Sequence, residues 1–223
     1  MWRLFSDHRV SDKVIAPGAG FVEMACAAVA HRRGGKGPVV LEDVMFERPL
    51  NLADEPPSSF DVVMRCEFAG ENAFRVCSVD QAGQDTTHAQ GKYSDALERP
   101  AVTPAEVSAA CATEMDVGML YEKLAGVGLQ YGREFRPLTH VLVGGGQAVG
   151  TLEAQSDQWK EYGVFPALID GAMQLATAAA MGAGRELTLS VPFSIRKVVV
   201  HGKGKGTLRA CVTMLPEAEQ KKG

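Results

Sequence analysis

Apolar positions along this chain fall into two kinds of run. Phe21 to Ala30 (FVEMACAAVA) contains no breaker and is rich in alanine, which predicts a mostly buried helix. Its end is marked by His31-Arg32-Arg33-Gly34-Gly35, with basic residues in the last turn and glycine just beyond. Shorter runs with β-branched or aromatic residues follow at Val39 to Phe46, Phe60 to Phe68, Ala73 to Val79 and Thr87 to Ser94. Turn-forming clusters separate them: Pro56-Pro57-Ser58-Ser59, Gly70-Glu71-Asn72 and Asp80-Gln81-Ala82-Gly83. One long helix with several antiparallel strands is an α+β pattern.

The plan then repeats. Residues 98–114 turn to Pro, Ala, Glu and Ser and read as a linker. Beyond it the pattern predicts a helix over Asp116 to Gly126, strands at Thr139 to Val143 and Gln147 to Ala154, and an apolar helix from Pro166 to Ala180. Strands are expected at Leu187 to Val191, Ser194 to His201 and Thr207 to Met214, with residues 216–223 as a disordered tail. Pro17-Gly-Ala-Gly-Phe-Val-Glu-Met24 and Pro166-Ala-Leu-Ile-Asp-Gly-Ala-Met173 each set a proline at the mouth of an Ala/Met-rich helix. The chain thus divides into two units, 1–97 and 115–215, each a sheet wrapped around one helix.

At 223 residues the chain can bury a core of ordinary size. A net charge of −4 and a pI near 5.8 argue against nucleic acid as the main partner. No apolar run reaches the roughly 18 residues of a membrane span, and the N-terminus does not read as a signal peptide. Five scattered cysteines without CxxC spacing read as small buried hydrophobes in a reducing compartment, not as a disulfide or zinc framework.

The chemistry concentrates on the second apolar helix. Asp170 and Gln174 are four residues apart, hence on one helical face, amid Ala, Met and Leu. A carboxyl there is pushed toward its protonated form by desolvation, and Gln174 is placed to orient it. The competing explanation is an acidic residue in the first turn that complements the helix dipole.

Spacing elsewhere decides between the two. His8-(x3)-Asp12-(x4)-Pro17 followed by Gly-Ala-Gly-Phe-Val-Glu-Met resembles the HxxxGxxxxP motif of polyketide synthase dehydratase domains. Tyr131-Gly132-x-x-Phe135 resembles their YGxxF motif, Asp170-x-x-x-Gln174 their DxxxQ motif, and Val191-Pro192-Phe193-Ser194 their LPFS segment. Fainter echoes are Leu41-Glu42-Asp43-Val44-x-Phe46-x-Arg48-Pro49-Leu50 and His88-Ala89-x-Gly91. All six stand in the family's order from Trp2 to about Val200.

The resemblance implies a double hotdog, two antiparallel sheets each wrapped around a long helix, with one site between the halves. It implies dehydration of a β-hydroxyacyl thioester carried on the phosphopantetheine of an acyl carrier protein, with no other cofactor and no metal. By the same resemblance His8 is the catalytic base and Asp170 the catalytic acid. Gln174, Tyr131 and Gly18 orient or position, while Pro17, Val191, Pro192 and Phe193 form the tunnel wall; independently of the resemblance, the helix start at Pro17-Gly18 offers free amide N–H groups for the thioester oxygen. The implied partners are the carrier protein, other synthase domains and a second copy of the chain, in the cytoplasm as part of a synthase; nucleic acid and membrane are not expected. A product-template-like cyclisation domain and a non-catalytic double hotdog kept for carrier docking are the alternatives. Asp12 stands where the family has glycine; if the turn there needs a positive φ, Asp tolerates it better than most residues, and its carboxylate is near enough in sequence to raise the His8 pKa. The family outline continues with strands before Trp2 and after Met214, which predicts exposed sheet edges at both ends of this chain.

Overall fold

The computed structural model describes residues 2–55, 63–97 and 103–215. The turn at Pro56 to Ser59, the start of the run at Phe60, the opening of the linker and the tail at 216–223 lie outside the described residues. A one-turn helix, α1 (Trp2–Phe5), leads into a tight hairpin, β1 (His8–Val10) and β2 (Lys13–Val14). Its two-residue turn holds Ser11 at φ +48° and Asp12 at φ +66°, the mirror-type geometry that matches strand twist. The turn does take Asp12 to a positive φ, and a reciprocal pair of hydrogen bonds with Gln130 secures it.

Helix α2 (Gly18–Arg32) follows, with basic residues in its last turn. Strands β3 (Val39–Phe46), β4 (Val63–Ala69), β5 (Ala73–Val79) and β6 (Asp85–Ser94) pack against it. The second half holds α3 (Pro104–Ala110), β7 (Thr113–Met115), α4 (Val117–Gly126), β8 (Leu129–Tyr131), β9 (Leu138–Gly144) and β10 (Gln147–Glu153). It closes with α5 (Pro166–Gly182), β11 (Ser194–Val200) and β12 (Thr207–Thr213).

Among the described residues the strands form three antiparallel sheets, ordered β11-β3-β6-β5-β4, β12-β10-β9-β7 and β2-β1-β8. Helix α2 lies on the first sheet, α5 on the second, and the two helices touch. The small third sheet joins the halves, because β1 from the first pairs with β8 from the second and sets His8 opposite Tyr131. Both β11 and β12 are terminal strands of their sheets. Among the described residues no helix is long and apolar enough to cross a membrane.

Three local expectations change. The described part of the 98–114 linker carries secondary structure of its own. Thr103 caps α3 and exchanges hydrogen bonds with Glu106, a capping box that the alanine-rich composition obscured, and β7 already pairs with β9. Leu187 to Val191 is not a strand. Strand propensity measures fit to a pleated, half-buried surface, and Leu189 and Val191 are exposed with no ladder beside them. Finally, β11 belongs by sequence to the second half yet extends the first half's sheet through β3.

Helix α5 seats on its sheet through small residues. A Cβ added at Gly171 would run into the Pro137 ring and come within 2.7 Å of Leu152. A proline ring cannot swing aside, so the clash outweighs the better helix propensity of alanine. Gly171→Ala is therefore expected to destabilise the protein by about 1–3 kcal/mol, measured by urea unfolding; an unchanged midpoint would show that this contact is not tight.

Candidate active site

His8 and Asp170, 162 positions apart by their numbering, arrive at one place. His8 Nε2 lies 3.8 Å from Asp170 Oδ1, and both side chains are nearly buried. That separation exceeds a hydrogen bond, so the two groups face each other without being joined. The other imidazole nitrogen is 2.8 Å from the Ile15 carbonyl. A carbonyl only accepts, so Nδ1 carries the hydrogen and Nε2 of the neutral ring presents its lone pair toward Asp170. Tyr131 and Phe135 hold the imidazole edge-on, with ring centroids at 5.5 Å and 5.3 Å.

Asp170 sits in the first turns of α5, after Pro166. Burial pushes its carboxyl well above the ordinary aspartate value, while His8 and the Gln174 hydrogen bond pull the other way. Gln174 Nε2 donates to Asp170 Oδ2 at 2.9 Å and to the Phe135 carbonyl at 3.0 Å. The i, i+4 reading of this pair is the one the structure contains, and the helix-dipole explanation does not describe a carboxyl this buried. Burial also raises the hydroxyls of Tyr131 and Tyr121, which therefore stay protonated.

Both groups open on a cavity of about 1120 Å³ with mostly apolar walls. Gly18, Tyr131, Gln174, Val191, Pro192 and Phe193 all line it. Pro17 does not. It is buried as the N-cap of α2, its carbonyl accepting from the Gly20 amide, and Ala16 and Gly18 on either side reach the cavity instead. Gly18 opens the helix, and a Cβ there would stand 3.1 Å from the Phe46 ring. Asp12 turns its carboxylate to Gln130, not to His8, because the turn geometry aims it across to β8.

Several contributors carried no sequence signal that spacing could reveal. Asp7 accepts from the Glu134 amide at 2.8 Å, and its own carbonyl accepts from Gly132 at 2.7 Å, tying the Tyr131–Phe135 segment to the His8 strand. A side chain on Gly132 would collide with Asp7. Glu23, buried on α2, accepts from the Gly163 and Val164 amides and anchors the loop that leads into α5. The Tyr121 hydroxyl on α4 meets Gln174. Away from the cavity, Glu67, Cys77 and Asp85 bring potential metal ligands together, but Arg75 already hydrogen-bonds both carboxylates.

Comparison with known proteins gives the family and the fold. Residues 3–79 match the family described as polyketide synthase dehydratase domain, and residues 99–223 the one described as polyketide synthase dehydratase N-terminal domain. The chain is 32% identical over 214 residues to the spectinabilin polyketide synthase protein NorB of Streptomyces orinoci, covering 92% of this chain and 10% of that protein. It is 31% identical over 216 residues to the mycoketide-CoA synthase of Mycobacterium tuberculosis, covering 92% of this chain and 5% of that protein. The chain thus spans about a tenth or less of these curated relatives. Among solved structures, the dehydratase domain from the CurK module of curacin polyketide synthase superposes with a TM-score of 0.80 at 24% identity, covering 96% of this chain and 77% of that one. The dehydratase domain of RzxB from Pseudomonas fluorescens gives 0.77 at 21% identity, covering 96% and 79%. These likenesses show the fold, a double hotdog.

The buried carboxyl makes a stability prediction. A folded-state pKa raised above the unfolded value means that the native protein binds the extra proton, so stability falls as pH rises through that window. The window opens at the ordinary aspartate value of about 3.9 and extends upward. Asp170→Asn removes the penalty. Its melting temperature should exceed wild type at pH 8 and converge with it near pH 4, read by calorimetry; a variant less stable than wild type at pH 8 would contradict this.

Proposed function

Because the chain belongs to the polyketide synthase dehydratase family, we propose that it removes water from a β-hydroxyacyl thioester delivered on the phosphopantetheine arm of an acyl carrier protein. The carrying observation is the unjoined approach of His8 Nε2 and Asp170 Oδ1 in the wall of an apolar cavity. An imidazole with an available lone pair and a carboxyl kept protonated by burial are a base and an acid that do not neutralise each other.

His8 Nε2 takes the proton on the carbon next to the thioester carbonyl, and that C–H electron pair becomes the new double bond. The β-carbon–oxygen bond breaks with its pair on oxygen, which takes the Asp170 proton and leaves as water. The product is the α,β-unsaturated acyl thioester. During the step negative charge builds on the thioester oxygen, and the Gly18 amide, in the first turn of α2 at the cavity wall, is the donor proposed to meet it. Val191, Pro192 and Phe193 supply apolar wall for the acyl chain. The chemistry calls for no metal and no cofactor beyond the carrier's arm. The carrier, other synthase domains and a second copy of the chain are the proposed partners, in a cytoplasmic synthase.

The test is to incubate the protein with 3-hydroxyacyl thioester mimics and carrier-bound substrates and follow loss of one water by mass. His8→Ala and Asp170→Asn should each lower the rate by about 10²- to 10⁴-fold. Since the two act together, the double variant should be little worse than either. A normal rate in His8→Ala would end the assignment. An inactive wild type across the substrate range would move the function to carrier docking.

A further inference from the structure

Tyr121 belongs to none of the motifs, yet it stands in the polar chain that ends on Asp170. It is buried on α4, where Asp116 caps the helix start and Leu120 and Leu124 face the core. Its hydroxyl oxygen receives the Leu138 amide at 3.2 Å, and the hydroxyl lies 3.1 Å from Gln174 Oε1. Gln174 Nε2 in turn reaches the Phe135 carbonyl at 3.0 Å and Asp170 Oδ2 at 2.9 Å.

Only one direction of donation is consistent with these contacts. A backbone N–H can only donate, so the Tyr121 oxygen accepts from Leu138 and keeps its single hydrogen for Gln174 Oε1. A backbone carbonyl can only accept, so Phe135 obliges the nearby Gln174 atom to be the NH2 nitrogen. The amide cannot flip without setting oxygen against oxygen at the Phe135 carbonyl. The amide nitrogen lies 2.9 Å from Oδ2, which accepts from it, with the Tyr131 hydroxyl also beside Gln174. A carboxyl proton on Oδ2 would face an N–H head-on.

We propose that Tyr121 is a positioning residue: by fixing the sense of this hydrogen-bond chain it confines the dissociable proton of Asp170 to Oδ1, the oxygen that faces His8. The inference rests on the dehydratase reading above and adds to it which oxygen carries the acid proton. It also explains the use of a glutamine rather than a charged residue beside the acid. Gln174 supplies a donor that holds one oxygen without ionising the carboxyl, and Tyr121 holds the glutamine.

The charged and titratable groups around Asp170 come from three other elements. His8 approaches from β1, Tyr131 from β8 and Tyr121 from α4. Arg136 follows the Arg133–Phe135 turn, its guanidinium 5.3 Å from the centre of the Tyr121 ring and its Nε donating to the Tyr131 carbonyl. The Gln174 donation favours the carboxylate form, in opposition to burial. Removing the Tyr121 hydroxyl leaves Oε1 without its donor and weakens the polarised amide's donation to Oδ2.

The experiment is to titrate the Asp170 carboxyl carbon by 13C NMR in wild type, Tyr121→Phe, Gln174→Leu and the double variant, beside pH profiles of kcat and KM. In Tyr121→Phe the Asp170 titration should move upward, the direction seen for Gln174→Leu, with no further move in the double variant. As the acid must be protonated, the alkaline limb of kcat should move upward with it. Its kcat should fall about 3- to 10-fold, the worth of one hydrogen bond, with KM little changed. An Asp170 titration unmoved in Tyr121→Phe but moved in Gln174→Leu would overturn the inference while leaving the dehydratase reading intact. A wild type that dehydrates no substrate would overturn that reading, and Tyr121's part in it, whatever the titration. If Tyr121→Phe loses its fold by stranding the Leu138 amide, 3-fluorotyrosine at 121 keeps the packing and donates more strongly. Asp170 should then titrate lower, and an unchanged titration would overturn the inference.

Discussion

A carboxyl removed from water needs its surroundings to supply what water would have supplied, and Asp170 sets that demand on this structure. An unpaired carboxylate in such a place is costly enough that the group protonates instead, unless partners intervene. Four segments answer: β1 brings His8, α5 brings Gln174, the turn at Arg133–Phe135 brings a backbone carbonyl, and α4 brings Tyr121. None of these is local in sequence except Gln174. Much of the tertiary arrangement between the halves can be understood as the means of delivering them. The three-stranded sheet is too small to form a core, yet it fixes β1 against β8 and so fixes the imidazole against the second half. Asp7 and Gly132 then lock the adjoining turn.

How much of this was legible in the sequence depends on how far each interaction reaches along the chain. Both core helices were visible, because an unbroken Ala/Met-rich run led by proline is local information. Asp170 and Gln174 were visible together, since four residues on a helix place them on one face. His8 gained meaning only through its spacing to Pro17 and the resemblance that spacing carries. Tyr121 was not legible. Its partner lies 53 residues away, and a tyrosine on an amphipathic helix looks like any core aromatic. Glu23 was hidden in a different way, inside a motif that identifies the helix without saying that its carboxylate reaches 140 residues to a loop. At α3 the local signal lies in Thr103-Pro104-Ala105-Glu106, a capping box masked by the alanine-rich composition around it. At Leu187 to Val191 the local signal was misleading, because a strand is a pairing and not a property of one segment.

The same burial that favours the protonated form of Asp170 bears on how the proposed cycle would close. After one turnover the imidazole holds an added proton and the carboxyl has lost its own. The two sites then carry opposite charges 3.8 Å apart. At an effective dielectric of about 20 their attraction is about 4 kcal/mol, far more than the same pair would feel in water. That attraction favours the charged pair, whereas desolvation of both partners opposes it, and the mostly apolar cavity wall weights the balance toward the neutral forms. Returning the proton from Nε2 to Oδ1 removes both charges at once. The oxygen that receives it is the one left free by the Gln174 donation, since Oδ2 is already occupied. On the proposed reading, the arrangement that selects which oxygen gives up the proton also selects which oxygen recovers it, so the site resets without a solvent proton entering the apolar cavity.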